Sequence, residues 1–177
     1  MDPALLDRLR EESGLRLDKE GRFWHRDGLV EHARTLAVLH QGIHRAADGR
    51  WATRIGREWG YLEVEDAALW IRRIETQAQA AALRIRRIET GTPAGGGFAR
   101  AQLASGEWVD FDPATLASGA DDALYARIRG ERARLTRPAQ LALSDALSEE
   151  AGGFVLELAG QRYRVGRDDG PEPLRKP

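Results

Sequence analysis

Large side chains alternate with small ones from Trp51 to Ile55, and Trp59 to Val64, with Tyr61 and Leu62, makes a second strand-like run, with Gly56 and its neighbours between the two. A period of two is that of a half-buried strand, and the glycine-bearing connection predicts a hairpin. Asp48-Gly49 supplies the chain reversal before it, because aspartate bonds to nearby backbone and glycine tolerates positive φ. The second run ends in Glu63-Val64-Glu65-Asp66, where alternation sets Glu63 and Glu65 on one face and Leu62 and Val64 on the other. Three acids in four positions need solvent or cations around them, and Arg54, Arg57, Arg72 and Arg73 are the candidate partners.

The same reading extends along the chain. Ala4–Leu9 is predicted as a short amphipathic helix, with Asp2 as its cap and Pro3 at its first position. Leu15–Leu17 reads as extended, Asp18–Gly21 as a turn, and Arg22–His25 as a short aromatic strand. Leu29, Ala33, Leu36 and Leu39 or His40 recur at helical spacing and predict a helix over Leu29–Leu39, with Asp27 as its cap. The hexapeptide Ile-Arg-Arg-Ile-Glu-Thr occurs twice, at Ile71–Thr76 and Ile85–Thr90. Isoleucines three apart suit a helix, whereas the β-branched content suits a sheet. Two antiparallel strands joined through Gln77–Ala81 are expected, with a register shift or bulge between the isoleucines. Thr92–Gly97 is a loop, and Phe98–Leu103 and Glu107–Phe111 are strands. Ala114–Asp122 reads as irregular. Leu124–Ile128 reads as a strand, Gly130–Leu135 as the approach to a helix, and Pro138–Glu149 as that helix, with Thr136 as its cap. Phe154–Leu158 and Arg162–Val165 form a final hairpin around Ala159-Gly160.

These elements make an α+β fold, mostly antiparallel, in which a strand–helix–hairpin unit occurs twice. The expected organisation is an N-terminal unit over residues 1–92, holding the first repeat and the central strands. A C-terminal unit over 93–170 holds the second repeat, and a flexible tail covers 171–177.

Composition narrows the chemistry. An apolar content of 42% is enough for a core, and 31% charged residues with a mean hydropathy of −0.51 fit a soluble, cytoplasmic protein. No apolar run approaches the roughly 20 residues that span a bilayer, and Asp7, Arg8, Arg10, Glu11 and Glu12 stand where a signal peptide needs an apolar segment. The absence of cysteine excludes a disulfide framework, a thiol nucleophile and a thiolate metal site. Net charge of −1 disfavours nucleic-acid binding through bulk electrostatics. The basic charge is carried by 25 arginines against 2 lysines. A GC-rich coding genome accounts for such a bias, and a phosphate- or acid-binding face is the other reading. His25, His32, His40 and His44 show no zincin spacing and read as structural or surface side chains, so neither a metal nor another cofactor is implied.

At Arg22-Phe23-Trp24-His25, the helix beginning near Leu29, Asp48-Gly49-Arg50-Trp51 and Glu63-Val64-Glu65-Asp66-Ala67, the chain resembles DUF1285, a bacterial domain family of unknown function. Tyr125-Ala126-Arg127-Ile128-Arg129-Gly130 extends the resemblance over nearly the full chain. It departs from the family pattern at Ala68-Leu69, where a Pro-Phe pair is expected, and near Thr90-Gly91, which lacks a Thr-Asn signature. The resemblance implies repeated α+β motifs and a role in signalling or protein complexes, and it supplies no catalytic residues.

The functional expectation is an interaction or small-ligand-sensing module, its partner a protein or a small acidic ligand, with no membrane involved. A groove of Trp59, Glu65, Asp66, Arg72 and Trp108 is the candidate site. In it tryptophan gives apolar contact, arginine holds a carboxylate or phosphate, and the acids orient the arginine. An enzyme using Glu63, Glu65 or Asp66 as general base is the alternative, although no electrophile-stabilising group accompanies them. A second alternative is phosphate or nucleic-acid binding across Arg72, Arg73, Arg84, Arg86 and Arg87.

Overall fold

The computed structural model describes residues 8, 10–76, 99–120 and 122–170. The helix expected at Ala4–Leu9 (Arg8 excepted), the strand Ala82–Thr90 with the second hexapeptide, the loop Thr92–Gly97 and the tail 171–177 lie outside the described residues. The chain divides into two compact units. Unit 1 comprises Met1–Leu69, Ala104–Gly106 and Gly170–Pro177, and unit 2 comprises Trp70–Leu103 and Glu107–Asp169, so far as these are described.

Unit 1 contains β1 (Leu15–Leu17), β2 (Phe23–His25), β3 (Gly28–Leu29), α1 (Ala33–Gly42), β4 (His44–Arg45), β5 (Trp51–Ile55) and β6 (Glu58–Val64). Its strands form one sheet in the order β3-β2-β1-β6-β5-β4. The predicted hairpin is β5–β6, with Arg54 opposite Trp59 and Ala52 opposite Tyr61. β1 joins β6 in parallel, Leu17 beside Val64, while its other neighbour β2 is antiparallel. Leu17, Phe23, Leu39 and Ala52 are almost fully buried and form the core.

The helix begins later than its spacing predicts, at Ala33 rather than Leu29. Gly28 and Leu29 are taken by a hairpin, pairing with His25 and Trp24, and the Val30 N–H donates to Phe23 O at 2.8 Å. The cap is therefore not Asp27 but His32, whose Nδ1 accepts from Thr35 N. At its other end the helix runs through Gly42 and lies directly on β5. The buried Thr53 hydroxyl donates to Leu39 O at 2.8 Å, so β5 satisfies a carbonyl that a helix C-terminus otherwise leaves open.

Unit 2 contains β7 (Leu69–Thr76), β8 (Ala99–Leu103), β9 (Trp108–Asp110), a 3-10 turn at Pro113–Thr115, β10 (Ala117–Ser118), β11 (Leu124–Ile128), β12 (Glu131–Leu135), α2 (Arg137–Leu141) and a 3-10 turn at Ser144–Ala146. It ends with β13 (Leu147–Glu150), β14 (Gly153–Leu158), β15 (Gln161–Arg164) and β16 (Gly166–Arg167). Seven strands run in the order β16-β10-β11-β12-β7-β8-β9, and β13-β14-β15 form a separate sheet. The first hexapeptide is strand, not helix, and its register shifts between Ile71 and Arg73. Arg72 is the extra residue, which lets both Ile71 and Ile74 face the core despite their spacing of three.

The helix expected over Pro138–Glu149 is a single turn. Thr136 stands at its N-cap position but makes no side-chain cap bond, because its hydroxyl donates to Ile71 O at 3.0 Å. Leu147–Glu150 is a strand, Leu147 opposite Leu156 and Glu150 opposite Gly153. Gly130–Leu135, read as leading to the helix, is mostly strand β12, and Ala114–Asp122 holds β10. The fold is mixed α+β with mainly antiparallel sheets, and the two halves show no clear repetition of a strand–helix–hairpin unit.

Among the described glycines of unit 1, Gly42 has the closest neighbour. A Cβ built there meets the Arg54 backbone nitrogen at 2.6 Å and its carbonyl carbon at 2.9 Å, and lies closer still to its oxygen. In an open helix Gly→Ala stabilises, by about 1 kcal/mol. Here the sign reverses: Gly42→Ala is expected to destabilise by about 3 kcal/mol, since neither backbone can yield without moving the helix off the sheet. The midpoint of urea unfolding measures this, and an unchanged or raised midpoint would contradict the packing.

Candidate functional site

The hairpin β5–β6 carries a cleft of about 540 Å³ within unit 1, lined by Glu11, His44, Arg45, Ala46, Ala47, Asp48, Arg54, Trp59 and Tyr61. Its side chains follow from register. Trp59 and Tyr61 are two apart on β6 and share a face, and cross-strand pairing sets Arg54 beside Trp59. The ring of Trp59 meets that of Tyr61 edge to face, centroids 5.3 Å apart. β4 contributes His44, opposite Ala52. The His44 Nδ1–H donates to Gly42 O at 2.7 Å.

The turn at Asp48-Gly49 does more than reverse the chain. Asp48 accepts from Arg50 N at 3.0 Å, from Arg50 Nε at 2.8 Å and from the Tyr61 hydroxyl at 2.9 Å. The other edge of the same guanidinium makes a bidentate pair with Glu11, at 2.8 and 2.7 Å, and its central carbon lies 3.4 Å from the Tyr61 ring centroid. One arginine therefore holds two acids and a tyrosine. Bonds from the Arg50 backbone and side chain bring the Asp48 carboxyl from 3.8 down to about 2. Glu11 is also lowered, chiefly by its bond to Arg50, and Arg50 is raised in turn by Glu11 and Asp48. Burial, and then the bond to Asp48, raises the Tyr61 hydroxyl.

Two acids are thus matched against three arginines, Arg45, Arg50 and Arg54. Arg45 lies over Trp51, its guanidinium carbon 3.8 Å from the ring centroid. Arg54 is exposed on the hairpin, and among the described residues no carboxylate pairs with it. The cleft presents an aromatic edge beside a cation, with its acids already engaged.

The residues expected to form a groove are distributed over both units. Trp59 is in the cleft, half-buried, with the Arg10 guanidinium 4.4 Å from its ring centroid. Glu65 and Asp66 follow β6 at the acidic corner. Glu65 pairs with Arg16 rather than with any of the four arginines expected, and its second oxygen accepts from Lys19 N at 3.1 Å. That partner comes from the parallel β1, which sets Arg16 beside Glu63. Glu63 is exposed. Arg72 is the exposed bulge residue of β7, and Trp108 on β9 is half-buried, with Arg100 5.9 Å from its centroid. Both belong to unit 2.

Sequence reasoning missed Asp18. It is 3% exposed, yet it accepts from Glu20 N, from Arg22 N and Nε and from Trp24 Nε1, at 2.8–3.0 Å. Burial pushes its carboxyl up, and these four bonds outweigh that and hold it below its ordinary value. It is a structural charge that fixes the turn into β2. His40, 7% exposed, packs edge-on to Phe23 at 4.9 Å, and among the described residues no cluster of three metal-ligating side chains exists.

No family model matches the sequence, and no curated protein matches it. A crystal structure of a DUF1285 family protein from Silicibacter pomeroyi DSS-3 superposes with a TM-score of 0.59 over 89% of this chain and 81% of its own, at 16% identity. The chain shares the DUF1285 fold. A DUF1285 family protein from Shewanella baltica OS155 aligns at a TM-score of 0.48 over 71% of this chain and 85% of its own, also at 16% identity. The sequence resemblance at Arg22–His25 and Asp48–Trp51 thus falls on strand β2, the Asp48-Gly49 turn and the start of β5 in a DUF1285 fold.

The wiring of Asp48 carries a pH dependence. Its folded value lies below the unfolded one, so its contribution to stability is complete above about pH 4 and is lost as pH falls toward 2. Asp48→Asn removes that contribution. The difference in urea midpoint between wild type and Asp48→Asn is expected to be widest above pH 4 and to narrow toward pH 2; a gap constant from pH 5 to pH 2 is the opposing result.

Proposed function

We propose that the protein is a DUF1285 family member that works in the cytoplasm as a small-ligand-binding module. Its ligand sits in the unit 1 cleft and combines a carboxylate or similar anion with a flat apolar body. The observation that carries this reading is Arg54, a cation without a carboxylate partner among the described residues, set by register beside Trp59 in a cleft of 540 Å³. That volume is within the range of about 300–1,000 Å³ typical of small-molecule sites. Arg54 takes the role expected from sequence of Arg72, and Trp59 keeps its own. If the family's implied part in signalling extends to this chain, the ligand is the signal and the cleft its receiver.

Binding is favoured over catalysis by the state of the acids. A general acid or base works best with a pKa near the operating pH. Asp48 and Glu11 are instead held low by one arginine, and Glu65 is engaged by Arg16 and a backbone N–H. Asp48 and Glu11 resist protonation, and all three acids serve to orient cations.

Benzoate and its uncharged counterpart benzamide test the reading, with tryptophan fluorescence and calorimetry as readouts. Benzoate is expected to bind and to perturb Trp59 emission, and benzamide to bind at least tenfold more weakly. Arg54→Ala is expected to cost benzoate about tenfold, the worth of one charge-assisted contact. Trp59→Phe should remove the optical signal without removing the heat. If no carboxylate of this class binds, or if Arg54→Ala binds as well as wild type, the proposal fails.

A further inference from the structure

We propose that unit 2 carries an anion site of its own, in a cavity of about 210 Å³ at Arg127, Arg132 and Arg167, and that it takes a phosphate or phosphomonoester dianion. In the β11–β12 hairpin Arg127 stands directly opposite Arg132, and Tyr125 opposite Arg134. Like charges opposed across two strands repel unless something compensates them. Arg132 is compensated: its Nε and Nη2 grip Asp168 at 2.8–3.0 Å, both side chains are about nine-tenths buried, and its guanidinium lies 3.7 Å from the Tyr125 ring centroid. Among the described residues the Arg127 side chain has only a long bond to Gly130 O, 3.4 Å, which brings no negative charge.

β16 adds a second uncompensated cation. It pairs with β10, Arg167 beside Ser118, and brings Arg167 to the same cavity as Arg127. Among the described residues no acid pairs with either side chain. Asp168 and Asp169 also line the cavity, so three arginines face two acids there, a balance of +1. Thr115 contributes no free donor, since its hydroxyl donates to Asp112 O at 2.7 Å and accepts from Arg127 N at 3.1 Å. Two guanidinium groups without an acid partner at one small cavity, Arg127 held only by its long bond to Gly130 O, match a tetrahedral dianion better than a single carboxylate, because each has N–H donors to spare. The volume admits a phosphoryl group with a few further atoms.

The ring of Tyr125 positions the site, and Gly119 makes room for it. A Cβ at Gly119 comes within 2.5 Å of Tyr125 Cε2.

Calorimetry of the full chain at low salt, with inorganic phosphate in one arm and glycerol phosphate in the other, tests the proposal. Saturable one-to-one binding is expected in at least one arm, about tenfold weaker in Arg127→Ala and in Arg167→Ala and unchanged in Arg54→Ala. Both arginines are exposed, and unchanged circular dichroism melting confirms that the variants fold. Tighter binding of glycerol phosphate identifies a phosphorylated metabolite or side chain as the natural source, and tighter binding of phosphate identifies the free ion; either supports the site. Absence of saturable heat in both arms overturns it, as does equal weakening in all three variants, which is the signature of diffuse surface charge. Binding lost only with Arg54→Ala overturns it too and assigns the anion to unit 1.

Discussion

The structure depends on arginine guanidinium groups set over aromatic rings. Each of the five tryptophans has a guanidinium within 6 Å of its ring centroid: Arg16 and Arg22 at Trp24, Arg45 at Trp51, Arg10 at Trp59, Arg134 at Trp70 and Arg100 at Trp108. Tyr61 and Tyr125 are covered in the same way by Arg50 and Arg132. Such a contact is worth about 0.5–1 kcal/mol at an exposed site and more where water is excluded. Part of the arginine content therefore covers rings that the small sheets leave half-buried, Trp24, Trp51, Trp59, Tyr61 and Trp108, while Trp70 and Tyr125 are buried beneath theirs. A lysine ammonium, compact and strongly hydrated, does not offer the same flat face.

Both units add a carboxylate to this contact. In unit 1 the set is Asp48, Arg50 and Tyr61, and in unit 2 it is Asp168, Arg132 and Tyr125. The acid fixes the guanidinium in its plane, the guanidinium covers the ring, and the ring anchors the set to the sheet. The two differ in exposure: the Arg50–Asp48 pair is more than a third exposed, and the Arg132–Asp168 pair about a tenth. An exposed pair contributes little to stability in itself, whereas a desolvated one contributes position and demands that every donor be used. In each case one arginine is consumed by the scaffold while another close by, Arg54 or Arg127, has no carboxylate among the described residues.

What could be read from sequence was local. The β5–β6 hairpin follows from alternation between glycines, and the extra residue at Arg72 follows from isoleucines three apart in a β-branched run. The start of α1 was not legible, because Leu29 satisfies helical spacing and strand pairing equally and only the contact of Gly28 and Leu29 with β2 decides between them. Leu143 and Leu147 likewise suit a helix until Leu147 finds Leu156 across a sheet. Glu65 was expected to pair with arginines near it in sequence, but the parallel alignment of β1 and β6 supplies Arg16, 49 positions away. Of the cleft, Trp59 was legible as an aromatic on a strand. Asp48 was legible only as a turn residue, since its second task depends on Tyr61 from the next strand but one.

The irregularity at Arg72 says something about what the sheet of unit 2 requires. With one residue fewer between them, Ile71 and Ile74 would sit two apart and still point inward, and pairing with β8 would run without interruption. The interior thus has no use for the additional amino acid. What it adds is a second exposed arginine beside Arg73, at the expense of one regular rung. A sheet that keeps such a detour is shaped by what lies outside it as much as by its own packing.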